Sequence, residues 1–155
     1  MNELVYRNLS EDAKRQICAW KYGGEYDLYN LPSYEEMQVR QIGFMNPQME
    51  KNYYGFWDES ILVGFVNILE EKEEVFIGIG VNPDLCNKHY GQRMLLITYE
   101  ISKKLYPDKP LYLEVRTWNI RAVKCYQKAG FRIDGQAYEL TTGIGTGTFY
   151  RMIRE

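Results

Sequence analysis

Apolar residues recur along this chain with two periods, near two and near 3.6, and the switches between them lay out the elements. Leu4 to Asn8 predicts a short strand. Ser10 then offers an N-cap with Glu11 and Asp12 in the first turn, and Ala13, Ile17 and Trp20 share one face of the helix that follows. Ser33 and Glu36 fit a capping box that opens a second helix, expected to fade before Pro47, and a Tyr-rich loop, KYGGEYDLYNLP, separates the two. Tyr53 to Trp57, Ile61 to Leu69 and Val75 to Val81, joined by short polar turns, predict three antiparallel strands. A helix then runs to about Lys104, where PDKP breaks it, and LYLEVR alternates as a strand. Asn119 to Ala129 predicts a helix closed by Gly130, and Arg132 to Leu140 with Thr148 to Ile153 predicts a hairpin around TTGIGTG. The order is β-α-α-β-β-β-α-β-α-β-β. It implies an α/β (α+β) fold, a mixed, mostly antiparallel sheet of about seven strands with about four helices and a right-handed crossover in the middle.

Composition limits this layout more than it adds to it. With 155 residues, 45% of them hydrophobic, the chain can bury one sizeable core, and one domain spanning residues 1–155 is expected. Lys plus Arg number 19 against 21 Asp plus Glu, with no basic block, so a nucleic-acid partner held through its phosphates is not expected. The opening MNELVYRNLSEDAKR lacks the apolar run of a signal peptide, and no stretch approaches the roughly 18 apolar residues of a span, so the expectation is no membrane and a cytoplasmic protein. Cys18, Cys86 and Cys125 form no C-x-x-C pair and His89 is the sole histidine, which argues against a metal site or a disulfide framework.

The stretch CNKHYGQRM, Cys86 to Met94, leads into a helix. Unpaired N–H groups and the helix dipole make such a start an anion cradle, although one glycine is fewer than such loops usually carry. TGIGTG is richer in glycine but precedes no helix, so it reads as a hairpin. Taken further, GIGVNPDLCNKHYGQRMLL resembles the acetyl-CoA loop of the GNAT N-acetyltransferases. LEVRTWNIRAVKCYQKAGF resembles that family's next strand and helix, with Asn119, Arg121, Ala122, Tyr126, Gly130 and Phe131 at the family's spacing. The resemblance implies a GNAT fold, acetyl-CoA as acetyl donor, and transfer to a primary amine by direct attack. The family's Q/R-x-x-G-x-G/A pattern aligns with Cys86, Asn87, Lys88, His89, Tyr90 and Gly91; Cys86 replaces Gln or Arg, and His89 replaces the first glycine. These residues with Gln92 are the implied pyrophosphate cradle. Backbone N–H groups do the binding, so His89 must reach the left-handed region that glycine enters freely and histidine enters more often than most. The resemblance further implies that Val75 to Val81 splays from Leu111 to Arg116. The pantetheine arm would then meet the backbone of Ile79 and Val81, and Asn119 would touch it as well as, or instead of, acting as a plain N-cap.

By the same resemblance Tyr126 is the general acid beside the sulfur; on its spacing alone it is equally an amphipathic core residue. Glu114 stands 12 residues before Tyr126, as the base does in the bacterial ribosomal-protein N-terminal acetyltransferases; on strand alternation alone it is an exposed strand glutamate. Glu70 and Glu71 are fallback bases in a turn that otherwise reads as solvated. Cys125 reads as a small buried hydrophobe. The acceptor is left open between a small amine and a protein amine, with the Tyr-rich loop as one candidate wall of its pocket, and a homodimer is one expected assembly. The alternative of another class is a noncatalytic acyl-CoA-binding or regulatory module that keeps the fold.

Overall fold

In the computed structural model, which describes residues 3–155, each capping signal sits where a helix starts. The Ser10 side chain accepts from Ala13 N at 3.1 Å, that of Ser33 from Glu36 N at 3.1 Å and that of Asn119 from Ala122 N at 3.2 Å. The elements are β1 (Val5–Asn8), α1 (Glu11–Ala19), α2 (Tyr34–Arg40), β2 (Tyr53–Asp58), β3 (Ile61–Glu70), β4 (Val75–Val81), α3 (Tyr90–Leu105), β5 (Leu111–Arg116), α4 (Ile120–Lys128), β6 (Arg132–Ile133), β7 (Tyr138–Thr142) and β8 (Gly145–Arg154). The strands form one eight-stranded sheet in the order β1-β2-β3-β4-β5-β8-β6, with β7 on β8. β4 and β5 are parallel, joined through α3, whereas β1/β2, β2/β3 and the three pairings of β8 are antiparallel. One strand is added to the expected set because Arg132 to Leu140 is interrupted. Gly135 takes φ +76, and the chain leaves the sheet between β6 and β7. The second helix is shorter than expected, since Gln41 turns left-handed at φ 51 and ends it.

Contacts divide the chain into two compact units, each described by itself. The first holds the residues up to Asn67 together with Ile79–Tyr90. Ala13 and Ile17 of α1 and Met37 of α2 are almost wholly buried with Phe44, Trp57 and Leu62. Burying one such side chain as Ile17 contributes about 1.5–3 kcal/mol. Lys14 was not expected in this core, yet only 2% of it is exposed; Glu11 and Glu50 both receive its ammonium. Burial opposes that charge, but the two carboxylates outweigh it and the net effect holds the amine above its ordinary value.

The second unit holds Ile68–Gly78 and Gly91–Glu155. Leu111, Leu113 and Val115 turn one face of β5 inward, and Met94 and Leu95 of α3 and Met152 of β8 are buried in the same unit. α4 closes at Gly130, whose φ of +96 suits glycine and whose missing side chain leaves room for Arg154: a Cβ there would meet its Nε at 2.9 Å.

Candidate functional site

The loop between β4 and α3 is fixed at both ends within the first unit. Asn82 donates from its backbone N to Val63 O at 2.8 Å and from Nδ2 to Leu62 O at 3.2 Å, while its Oδ1 accepts from Asp84 N at 3.0 Å. Cys86 Sγ stands 3.7 Å from Asn82 O, a weak donor turned back onto the loop. At the other end Tyr90, the first residue of α3, donates its hydroxyl to Asp58 Oδ2 at 2.6 Å. Between these anchors Asn87 and His89 take φ of +65 and +67. His89 therefore occupies the left-handed conformation that the aligned glycine would supply, and the side chains of Asn87, Lys88 and His89 face solvent. The α3 helix has 16 residues. Buried Gly91 and half-buried Gln92 stand in its first turn, where the backbone N–H groups of a helix point outward and carry the positive end of its dipole. A diphosphate fits these groups by charge and by hydrogen-bonding type.

The parallel ladder joins β4 to β5 at Val75↔Leu111 and Phe76↔Tyr112, the first two residues of each strand. Ile79 and Val81 lie beyond it and are half-buried. Val81 O accepts the Tyr22 hydroxyl at 2.6 Å, and Tyr22 is itself held by Asn30, whose Oδ1 accepts from Tyr22 N at 2.6 Å. The Tyr-rich loop, partly wound as a 3-10 turn over Gly24–Tyr29, is thus tied to the end of β4. Sequence reasoning did not single out Tyr22, because its partner is 59 residues away.

In the second unit Asn119 is buried at the head of α4 and Tyr126 is half-buried further along it. Glu114 is half-buried on β5, opposite Arg151 of β8, and its Oε2 accepts the Tyr138 hydroxyl at 2.6 Å. Burial first, then this bond, pushes the phenol of Tyr138 up. The fallback carboxylates are also engaged: Glu71 accepts from Tyr112 at 2.8 Å and Glu70 from Lys109 at 2.6 Å. Their turn is therefore not simply solvated, since Glu74 also closes a two-pronged pair with Arg151 at 2.6 and 2.9 Å. Arg151 further donates to Asp134 at 3.3 Å and stacks 4.3 Å from the Tyr112 ring. The Arg151 bond comes first among the causes that hold the Glu74 carboxyl below its usual range. Cys125 is half-buried rather than buried, and burial pushes its thiol up, away from the thiolate that a nucleophile needs. Among the described residues no helix is long and apolar enough to cross a membrane.

The sequence model described as the Acetyltransferase (GNAT) family matches residues 10–131. Among solved structures, the chain is similar to a chimera of the spermidine N-acetyltransferase SpeG from Vibrio cholerae and hSSAT, at 19% identity and TM-score 0.77, over 98% of this chain and 95% of that one. It is similar to a GNAT-family acetyltransferase from Bacillus anthracis at 18% and 0.77, over 99% and 95%. It also resembles AAC(6')-Ib in complex with ribostamycin and coenzyme A at 16% and 0.76, over 99% and 93%. At these identities the likeness is one of fold. No curated protein matches the sequence.

Proposed function

Because the chain belongs to the GNAT acetyltransferase family, we propose that it moves the acetyl group of acetyl-CoA to a primary amine by direct attack in a ternary complex, with residues 1–155 as one catalytic domain. Family membership makes it an acetyl-CoA-dependent N-acetyltransferase; the proposal adds the route and the residues. The observation that carries it is the left-handed backbone of His89, which supports a cradle made of backbone N–H groups where the sequence lacks the usual glycine. In this reading Cys86, Asn87, Lys88, His89, Tyr90, Gly91 and Gln92 hold the diphosphate. The backbone of Ile79 and Val81 receives the pantetheine arm, and Asn119 adds a contact while capping α4.

Acetyl-CoA supplies an acetyl thioester. Glu114 accepts the proton of the incoming amine, directly or through one water, while Tyr138 occupies one of its oxygens and fixes its orientation. The need for a base is set by the acceptor. An amine of pKa ~10.4 costs ~4.6 kcal/mol to deprotonate at pH 7, against ~1.1 for an α-amino group near 7.8. Tyr126 protonates the departing sulfur, which helps on the order of 10²-fold at most because a thiol leaves tolerably unaided. The spermidine N-acetyltransferase and the ribostamycin complex among the similar folds support a small-amine acceptor over a protein amine. Three unbridged cysteines suit a reducing cytoplasm, and a homodimer is the assembly proposed.

Thermal melts with acetyl-CoA, followed by thiol release across an amine panel, test the reading. At a ligand excess of 100-fold over Kd, stabilisation of about 2.7 kcal/mol is expected. No rise in melting temperature sinks the donor assignment, and binding without turnover on any amine favours a noncatalytic acyl-CoA module.

A further inference from the structure

On the face of β5 that carries Glu114 the charged side chains named here have hydrogen-bond partners in the chain, with one exception. Arg151 meets Glu74 and Asp134, Glu114 meets Tyr138, and Glu71 meets Tyr112. Arg116 lies two residues beyond Glu114, hence on the same face. It is only 8% exposed, and among the described residues its guanidinium has no carboxylate and no hydrogen-bond acceptor. The group sits 4.8 Å from the Phe149 ring and so close to Gly147 that a Cβ there would meet Nη1 at 2.0 Å. A ring face attracts a cation but satisfies none of the five N–H donors of a guanidinium. The guanidinium nitrogens keep contact with solvent, so an anionic group from outside the chain can reach them and fits them by charge and by hydrogen-bonding type.

We propose that Arg116 is the subsite for a carboxylate carried by the acceptor, which makes the acceptor class ω-amino acids, with a primary amine at one end and the acid at the other. The amine half of this inference rests on the acetyl-transfer reading above. The spacing decides against α-amino acids. Arg116 pairs with Phe149 in the β5/β8 register and its guanidinium reaches on to Gly147, whereas Glu114 pairs with Arg151 in the opposite direction along β8. The backbone positions of Glu114 and Arg116 are one two-residue step apart, about 6.6 Å, a separation that a chain of four or five methylenes spans and a single carbon does not. The planar guanidinium fork pairs with a carboxylate through two parallel hydrogen bonds. The same cation repels a polyamine, so this chain would differ in acceptor from the spermidine N-acetyltransferase whose fold it shares.

The test is steady-state kinetics on 6-aminohexanoate and hexylamine, which differ only in the carboxylate, with saturating acetyl-CoA. Wild type is expected to favour the acid in kcat/KM by about tenfold or more, as a charged hydrogen bond would. Arg116→Gln should bring that ratio to within about threefold of one, because the amide cannot replace the charged fork. Gly147→Ala displaces the guanidinium without deleting it and should lower the same ratio, which keeps the test decisive should Arg116→Gln fail to fold. A wild-type ratio near one, or a ratio that survives in folded Arg116→Gln or Gly147→Ala, overturns the subsite. So does an Arg116→Gln defect that appears in acetyl-CoA affinity instead, since the anion would then belong to the donor. Calorimetric titration of 6-aminohexanoate into the CoA complex separates the two readings. Arg116-dependent binding without acetylation of either amine sinks the acetyl-transfer reading and keeps the subsite. Acetylation of hexylamine without preference for the acid does the reverse, and neither binding nor turnover sinks both.

Discussion

The head of α3 and the charged face of β5 are both candidate binding surfaces, and they are built by different physics. At the head of α3 the side chains of Asn87, Lys88 and His89 face solvent and the backbone carries the geometry, through two left-handed residues and the start of a helix. On β5 the backbone is an ordinary antiparallel ladder with β8, and side chains do the work: Glu114 with Tyr138, and Arg151 with Glu74 and Asp134. A surface of the first kind tolerates a change of residue as long as the dihedral survives. One of the second kind tolerates little, because Glu114, Arg151 and Glu74 are each matched to a particular partner.

The largest expected break in this comparison is at Glu114. Glu114→Gln should reduce turnover on a lysine-like amine by about 10²- to 10⁴-fold, with acetyl-CoA affinity unchanged by calorimetry; a rate near wild type moves the role of base elsewhere, to Glu71 first. Tyr126→Phe should lower kcat by up to about 10²-fold with acetyl-CoA affinity spared, and an unchanged rate removes it as the acid.

Arg151→Gln tests the charged face through stability and should cost about 1–3 kcal/mol at pH 7, read from urea melts, because Glu74 loses its charged partner. The pH dependence follows from the same pair. The Glu74 carboxyl is held below its ordinary value, chiefly by Arg151, so its stabilising effect is present above the unfolded carboxylate value, about 4.3, and is lost as pH falls through the folded one. Melts from pH 6 to 3 should therefore show an acid limb that is shallower in Arg151→Gln; identical limbs would break the link. At the head of α3 the smallest effects are expected from side chains and larger ones from dihedrals. His89→Pro, which holds φ near −65°, should weaken acetyl-CoA binding by about tenfold or more. His89→Gly should bind it as well or better, and a clear loss on His89→Gly would show that the imidazole itself contributes.

What the sequence could disclose here divides along the same line. Ser10, Ser33 and Asn119 mark helix starts because their partners lie within three residues, and Gly130 marks an end because its conformation is local. The demand on His89 was legible for the same reason: it is a condition on one pair of dihedrals. The burial of Lys14 was not legible, since it answers to Glu50, 36 residues away; the early end of α2 and the break between β6 and β7 sit at left-handed residues, Gln41 and Gly135, whose conformations the apolar pattern does not mark.

The sequence by itself determined the order of elements, the caps and the helix start after Cys86, because those depend on backbone dihedrals and contacts a few residues apart. Only the tertiary structure decided that Tyr138 meets Glu114 across 24 residues, that Arg151 meets Glu74 across 77, and that Arg116 is buried against the Phe149 ring. Those pairings follow from the register in which β8 lies against β5, and that register depends on which faces of the two strands can be buried together.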